Sequence, residues 1–504
     1  MRLLQRLHQA NGTLRQPNLD ARAQGSCVQT LLCEALSLSH QLPATPGVVA
    51  FSAHRDLAYV RNQWAIWMGN HIAVPISTSS ALPERLHILK DSGASHVIGH
   101  PNLDTTTLPI PSLTFDPSSA TPSTDDAVHT HLHDGSAFSN EDAMLLYTSG
   151  TTGTPKGVLA TQESLYAQVD DVASAWEFSR HDRFVHFLPL HHTHGIVNNL
   201  LAPLACGATV DCLAGASAAE IWTKLSDADH PVTVLMAVPS IYMLLLEAFD
   251  RMDEASQSKA RAGLRQLRVA ISGSMACPLP ILERWKALTG QPLLERYGMT
   301  ECGMALGHPL HGNKHMGFVG QPFPSIRARI AQETQELQVQ GPTLFKGYWK
   351  RDADTKNAWT VDGWFKTGDI AEFDDSKKSY RILGRASVDI IKSAGYKISA
   401  LEVEHVFLSH PFVVECAVYG TPHDTWGEIV TAVVVLRHPQ TRDDMSWVHD
   451  FFQGKLAKYK WPRVVHAVES IPKNAMGKVN KKRLPALLDN AKTKPAVRTN
   501  NDRL

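Results

Sequence analysis

Residues 147–158 read YTSGTTGTPKGV. They follow a short apolar run, Met144-Leu145-Leu146, that predicts a buried strand. The stretch supplies glycines at Gly150, Gly153 and Gly157, hydroxyls at Thr148, Ser149, Thr151, Thr152 and Thr154, and one cation, Lys156. Glycine lets backbone approach a ligand closely, successive N–H groups form an anion-binding concavity, and hydroxyls add donors. A polyphosphate suits that chemistry. The loop is not a Walker A sequence, which needs Gly before the Lys where this chain has Pro155.

Outward from that loop, 504 residues predict two or more domains. Lys+Arg and Asp+Glu are both 49, and zero net charge argues against bulk nucleic-acid binding. The seven cysteines are scattered with no Cys-x-x-Cys pair, which predicts reduced thiols and no structural zinc. No apolar run reaches the ~18 residues of a membrane span. Residues 1–22 are a candidate targeting segment. Met1–Leu19 carries Arg2, Arg6 and Arg15 and no acid, and a helix there would set Leu3, Leu4 and Leu7 on one face, as in a mitochondrial import presequence. That favours the mitochondrial matrix, with an ordinary N-terminus and a cytoplasmic location as the alternative. The ending Asn501-Asp502-Arg503-Leu504 only partly matches a peroxisomal signal.

Strand and helix patterns alternate near the start. Gly47–Ser52, Ile72–Ile76 and His96–Ile98 read as strands, and Leu57–Met68 and Leu82–Ser92 as helices. This predicts a mostly parallel α/β sheet. Pro101–Asn140, rich in Pro, Ser, Thr and Asp, reads as a surface excursion. Further strands at Phe184–Leu188, Val232–Val238 and Leu267–Ser272 run into loops, the last into Gly273-Ser274-Met275. Ligands sit at such strand ends in open α/β sheets. Gly317–Phe373 predicts a small β module. From Gly384 a compact α+β unit follows, with a capping box at Ser399–Glu402 and strands at Glu415–Tyr419 and Ile429–Leu436. The chain therefore divides into residues 1–383 and 384–504.

Six segments in order resemble the adenylate-forming superfamily of acyl-CoA synthetases and luciferases. They are YTSGTTGTPKGV (147–158), LPLHHTHG (188–195), ERYGMTE (295–301), GWFKTGD (363–369), ILGRASVDIIKSAGYKIS (382–399) and PKNAMGKVNKK (472–482). The resemblance implies an α/β fold with a large N-terminal domain of stacked sheets plus a small β module, and a smaller mobile α+β C-terminal domain. It implies ATP, Mg²⁺ and coenzyme A, with a carboxylic acid activated as an acyl-adenylate and passed to a thiol. Thr148–Lys156 would cradle the β- and γ-phosphates. Tyr297 would stack on adenine beside Gly273 and Ser274. Thr300 would touch the α-phosphate, Glu301 would hold Mg²⁺, Asp369 would accept from the ribose hydroxyls, Arg385 would support the ribose, and Lys478 would meet charge developing near the α-phosphate. His192 takes the place of the family's gating histidine. Relatives carry a charged hinge after the Arg, whereas Arg385-Ala386-Ser387-Val388-Asp389 is one residue longer and leaves the pivot open within 386–389. That spacing resembles the mitochondrial-type malonyl-CoA synthetase branch.

Arg296 carries the substrate argument. It precedes Tyr297 in a loop that, by the resemblance, lines the acyl pocket, and a buried guanidinium without a partner costs several kcal/mol. A second carboxylate on the substrate pairs it bidentately, so Arg296 predicts a short dicarboxylate, malonate or methylmalonate. The competing reading turns Arg296 away onto Glu295. A fatty- or aryl-acid–CoA ligase is the rival enzyme, and an ATP-sensing scaffold the non-enzyme alternative. The scaffold predicts erosion at Lys156, Glu301, Asp369 or Lys478, and all four are present. The small-molecule partners are thus a dicarboxylic acid, ATP and CoA, with the oligomeric state open.

Overall fold

The computed structural model describes residues 2–15, 25–114, 123–134, 141–148, 155–437, 447–473, 479–490 and 497–498. Two large sheets share the main core. The nine-stranded sheet runs, edge to edge, through Gln321–Pro322, Gly303–Gly307, Leu294–Met299, Val269–Ser272, Val234–Ala237, Arg183–His186, Thr209–Cys212, Thr13–Arg15 and Gly25–Cys27. Its central strands pair in parallel, with Ala237 opposite Ser272 and Ile271 opposite Leu294. The seven-stranded sheet orders Gly347–Tyr348, Lys156–Thr161, Asp142–Thr148, Ile72–Ile76, Val48–Ser52, His96–Ile98 and Ser112–Leu113. Val48–Ser52 and Ile72–Ile76 are buried along their whole length, as continuous apolar runs in a doubly covered parallel sheet must be.

Helix Leu57–Met68 is buried on nearly every side, Asn62 and Gln63 included, so it packs in the interior. Asp56 caps it by accepting the Tyr59 N–H, and Trp67 Nε1 donates to the Ala143 carbonyl at 2.9 Å, fastening the helix to the seven-stranded sheet. The expected helices Leu57–Met68 and Leu82–Ser92 and the strands around them form as read, because their apolar spacing and flanking turn residues agree.

A four-stranded antiparallel sheet, Arg327–Ile330, Glu336–Gln340, Phe365–Asp374 and Ser379–Arg385, makes the β module. The last sheet begins at Ile390–Ser393. It is built on the long hairpin Val413–His423/Gly427–Leu436 over its own core of Val403, Phe407, Val430 and Phe452. The strand Ser379–Arg385 runs past residue 384, so the change of sheet falls within residues 386–389. Only half of the expected capping box forms. Ser399 Oγ accepts the Glu402 N–H, while the Glu402 carboxylate is drawn to Lys460 Nζ at 2.7 Å.

One other expectation changes. Pro101–Asn140 is not all excursion. It contributes strand Ser112–Leu113 and helix Asp125–His133, whose Val128 and Leu132 are buried in the main core. Two apolar residues among aspartates and histidines are too few to give a readable period. The N-terminal helix Arg2–Ala10 buries Leu3, Leu4 and Leu7 completely, and the strand after it joins the nine-stranded sheet beside Thr209–Cys212. The face that resembles a presequence is core surface in the folded chain.

Candidate active site

The site gathers at the carboxyl ends of the parallel strands. Strand Leu294–Met299 carries Glu295, Arg296 and Tyr297 on alternating faces. Glu295 turns away from its neighbour: its Oε2 accepts the Gly317 N–H at 2.8 Å, and burial raises its carboxyl to about 8. The Arg296–Glu295 pair is therefore not made. Arg296 is 4% exposed, and burial lowers its guanidinium to about 10, still a cation at neutral pH. Its Nη2 donates to Ser274 Oγ at 3.2 Å, and among the described residues its Nε has no acceptor and no carboxylate pairs with it.

Strand Val269–Ser272 opens into Gly273 and Ser274. A Cβ at Gly273 would lie 2.4 Å from Arg296 Nε, so only glycine lets the guanidinium cross there. Ser274 takes φ +71°, a left-handed conformation rare for serine that aims its hydroxyl into the site. Its Oγ lies 3.4 Å from His194 Nδ1. Burial and the nearby Arg296 push His194 well below the ordinary imidazole range. The buried Nε2 of the ring, like Arg296 Nε–H, has no hydrogen-bond partner among the described residues. The orphaned Arg296 Nε–H, on the linked chain Arg296–Ser274–His194, suits an anion.

His194 opens a π-helical stretch, His194–Leu201, which needs Gly195 because a Cβ there would meet the Pro189 carbonyl at 2.2 Å. Such turns are frequent at functional sites. His192 lies just before it, its ring 4.1 Å from that of His191. The three histidines of the run do not form a metal set. The one His/Asp cluster among the described residues is His54, Asp56 and His100. There Asp56 Oδ2 meets His54 Nδ1 at 3.0 Å and His100 Nε2 at 2.7 Å, and Asn102 N–H donates to His100 Nδ1. That last bond leaves the proton on Nε2, the wrong tautomer for a ligand there, so hydrogen bonds account for the cluster.

The residues expected around the nucleotide fall into two linked groups. Asp369 and Arg385 face each other across adjacent strands, with Arg385 Nε 2.9 Å from Asp369 Oδ1. The half-buried Tyr297 donates its hydroxyl to Asp369 Oδ2 at 2.5 Å. Thr300 and the buried Glu301 occupy the turn after Met299. Burial raises the Glu301 carboxyl above its usual range, and Tyr348 donates to it at 3.0 Å. A buried carboxylate held this way is suited to a hard cation such as Mg²⁺. Lys156 Nζ lies 5.4 Å from the Tyr348 ring centroid and pairs with Asp354 Oδ2 at 2.7 Å. An incoming phosphate would compete with Asp354 for it.

Thr148 and Lys156 stand opposite each other at the ends of their strands. Ser149, Gly150, Thr151, Thr152, Gly153, Thr154 and Lys478 lie outside the described residues. Sequence reasoning missed His194 as a working group and gave no role to Tyr348 or Asp354. His194 is one of several histidines in its run, and the other two meet the site only through the fold.

A model of the AMP-binding enzyme family matches residues 29–349, and one of the AMP-binding enzyme C-terminal domain matches residues 402–478. The mitochondrial malonate–CoA ligase ACSF3 of Mus musculus is 40% identical over 476 residues, 86% of this chain and 81% of that protein. The ATP-bound crystal structure of MatB from Rhodopseudomonas palustris is 28% identical, with TM-score 0.81 over 97% of this chain and 99% of that one. A malonyl-CoA ligase in a ternary product complex with methylmalonyl-CoA and AMP is 32% identical, with TM-score 0.66 over 93% of this chain and 97% of that one.

Proposed function

This chain belongs to the AMP-binding enzyme family, and from that membership we propose that it is an AMP-forming malonate–CoA ligase. One malonate carboxylate oxygen attacks the α-phosphorus of ATP, and the bond to pyrophosphate breaks. The CoA thiolate then attacks the acyl carbon, the bond to the AMP oxygen breaks, and malonyl-CoA and AMP leave.

The observation that carries the substrate is Arg296, a buried cation with no acid partner among the described residues. Malonate keeps a second carboxylate while the first reacts. That carboxylate would meet Arg296, whose Nε–H has no acceptor among the described residues. A fatty or aryl acid would leave the guanidinium stranded.

In this reading Thr148–Lys156 receives the β- and γ-phosphates, Tyr297 with Gly273 and Ser274 the adenine, and Asp369 with Arg385 the ribose. Thr300 and Lys478 meet the α-phosphate, and His192 stands where the acid enters. Glu301 would hold Mg²⁺, which neutralises phosphate charge when bound. Phosphoryl transfer asks the protein mainly for positioning and charge stabilisation.

Pyrophosphate release measured across mono- and dicarboxylic acids, with and without CoA, tests the whole reading. Malonate should lead, methylmalonate should follow, and acetate and long fatty acids should fail. A monocarboxylate in first place would refute it. A matrix location, proposed from the mitochondrial relatives, is tested by protease protection of the full chain in isolated mitochondria.

A further inference from the structure

The π-helical stretch that places His194 carries further polar groups on the same face. His194–Leu201 closes with a bond spanning five residues, the Ala202 N–H donating to the Val197 carbonyl. That wider coil brings His194, Asn198 and Asn199 onto one face. The residues of the opposite face, Ile196, Val197, Leu200 and Leu201, are sunk in the main core. The polar face is held against the end of strand Arg183–His186. Asn199 Nδ2 donates to the Val185 carbonyl at 3.2 Å, and His186 Nε2 donates to the Gly195 carbonyl at 3.0 Å. Asn198 is the exception. It is 1% exposed, and neither its Nδ2 nor its Oδ1 has a hydrogen-bond partner among the described residues. A buried amide with nothing to bond is costly and rare, and a position that only packed would be better filled by an apolar side chain.

Asn198 stands at the end of a line that starts at Arg296. Arg296 Nη2 donates to Ser274 Oγ at 3.2 Å, Ser274 Oγ lies 3.4 Å from His194 Nδ1, and Asn198 follows His194 by one turn. A buried guanidinium–carboxylate pair is favourable only when further hydrogen bonds satisfy the lone pairs that the guanidinium leaves. A carboxylate offers about four such sites and a bidentate arginine fills about two. An amide supplies the missing donor without adding charge.

We propose that Asn198 is a specificity-determining residue for the acid, its amide N–H donating to the distal carboxylate that Arg296 pairs. The proposal rests on the dicarboxylate reading of Arg296.

The test is pyrophosphate release with malonate and with butyrate, together with the ATP KM and the melting temperature, on Asn198→Leu and Asn198→Asp. Asn198→Leu should lower kcat/KM for malonate by about tenfold to a hundredfold, the range of one hydrogen bond to a charged group. The ATP KM and kcat/KM for butyrate should hold. The melting temperature should stay level or rise, because the exchange removes a buried amide that the fold itself leaves unpaired. Asn198→Asp keeps the shape but puts an acceptor where a donor is needed, so it should cost malonate more than the leucine variant does.

Arg296→Ala, measured alongside, separates this proposal from the one beneath it. If Arg296→Ala costs malonate selectively while Asn198→Leu does not, the role of Asn198 is wrong and the dicarboxylate reading stands. If Arg296→Ala costs malonate and butyrate equally, the dicarboxylate reading falls and this proposal with it. A lower melting temperature for Asn198→Leu, with equal losses on both acids, would mark the amide as structural only and overturn the proposal.

Discussion

Arg296 lies so close across Gly273 that the two positions act together. Arg296→Ala or Arg296→Leu should lower kcat/KM for malonate by about 2–5 kcal/mol while ATP binding holds, because one member of a charged pair is stranded. Arg296→Lys should recover little, since an ammonium lacks the bidentate fork. Butyrate should gain relative to malonate, and equal loss for both acids would sink the assignment. Gly273→Ala should reproduce the selectivity change by pushing the guanidinium aside. If it damaged only the ATP KM, Gly273 would serve the nucleotide alone. Glu295, on the opposite face, gives a pH signature. Its folded value of about 8 exceeds its ordinary 4.5 because of burial, so the fold holds a proton that the unfolded chain releases. Stability from this group is complete below pH 4.5 and is lost as pH rises through about 8. Glu295→Gln should therefore melt increasingly above the wild type from pH 5 to 9, and parallel melting curves would refute this. Arg296 was legible in the sequence because a charge beside a conspicuous loop demands a partner. The Ser274–His194 chain was not, since those residues are 80 apart and meet only when two strand ends come together.

At the scale of elements, the link between the β module and the last sheet carries a prediction about the hinge. Ala386 N–H donates to the Gly368 carbonyl, tying it to the β module. Asp389 is tied both ways: its Oδ1 meets Lys481 Nζ at 2.6 Å, and Lys481 also pairs with Glu404 at 2.7 Å, while its Oδ2 accepts the Arg385 N–H at 3.0 Å. Ser387 and Val388 lie between these anchors. Val388→Pro would fix φ and remove the Val388 N–H bond to the Arg385 carbonyl, so adenylation should persist while transfer to CoA falls. A folded variant with both half-reactions intact would place the pivot elsewhere. Helices with an apolar period and strands with continuous apolar runs were readable in advance. Helix Asp125–His133 was not, because its burial is decided by Leu3 and its neighbours far away in sequence. The half-made capping box at Ser399 failed for a similar reason, since Lys460 outbids the backbone for Glu402.

For the whole molecule, the two half-reactions should separate. Lys478 belongs to the C-terminal segment, and Lys478→Ala should cut acyl-adenylate formation about a hundredfold, the worth of one charge contact in a dry site. Thioester formation from supplied malonyl-adenylate should survive, and equal loss of both would contradict a division of labour between two arrangements of the chain. The six ordered segments made the architecture legible, while the seating of the first fifteen residues was not, since nothing local says that Thr13 will pair with Thr209. That pairing has a consequence during synthesis. On the ribosome the first helix leaves the exit tunnel without the strand beside which its own strand must lie. At 5–20 residues per second, the roughly 200 residues still to be made take about 10–40 s. Through that interval the Thr13–Arg15 strand waits without its parallel partner, while the leucine face of Arg2–Ala10 is covered earlier, as the helices it packs on, Val28–Ser39, Asp125–His133 and Gln162–Ala175, are made.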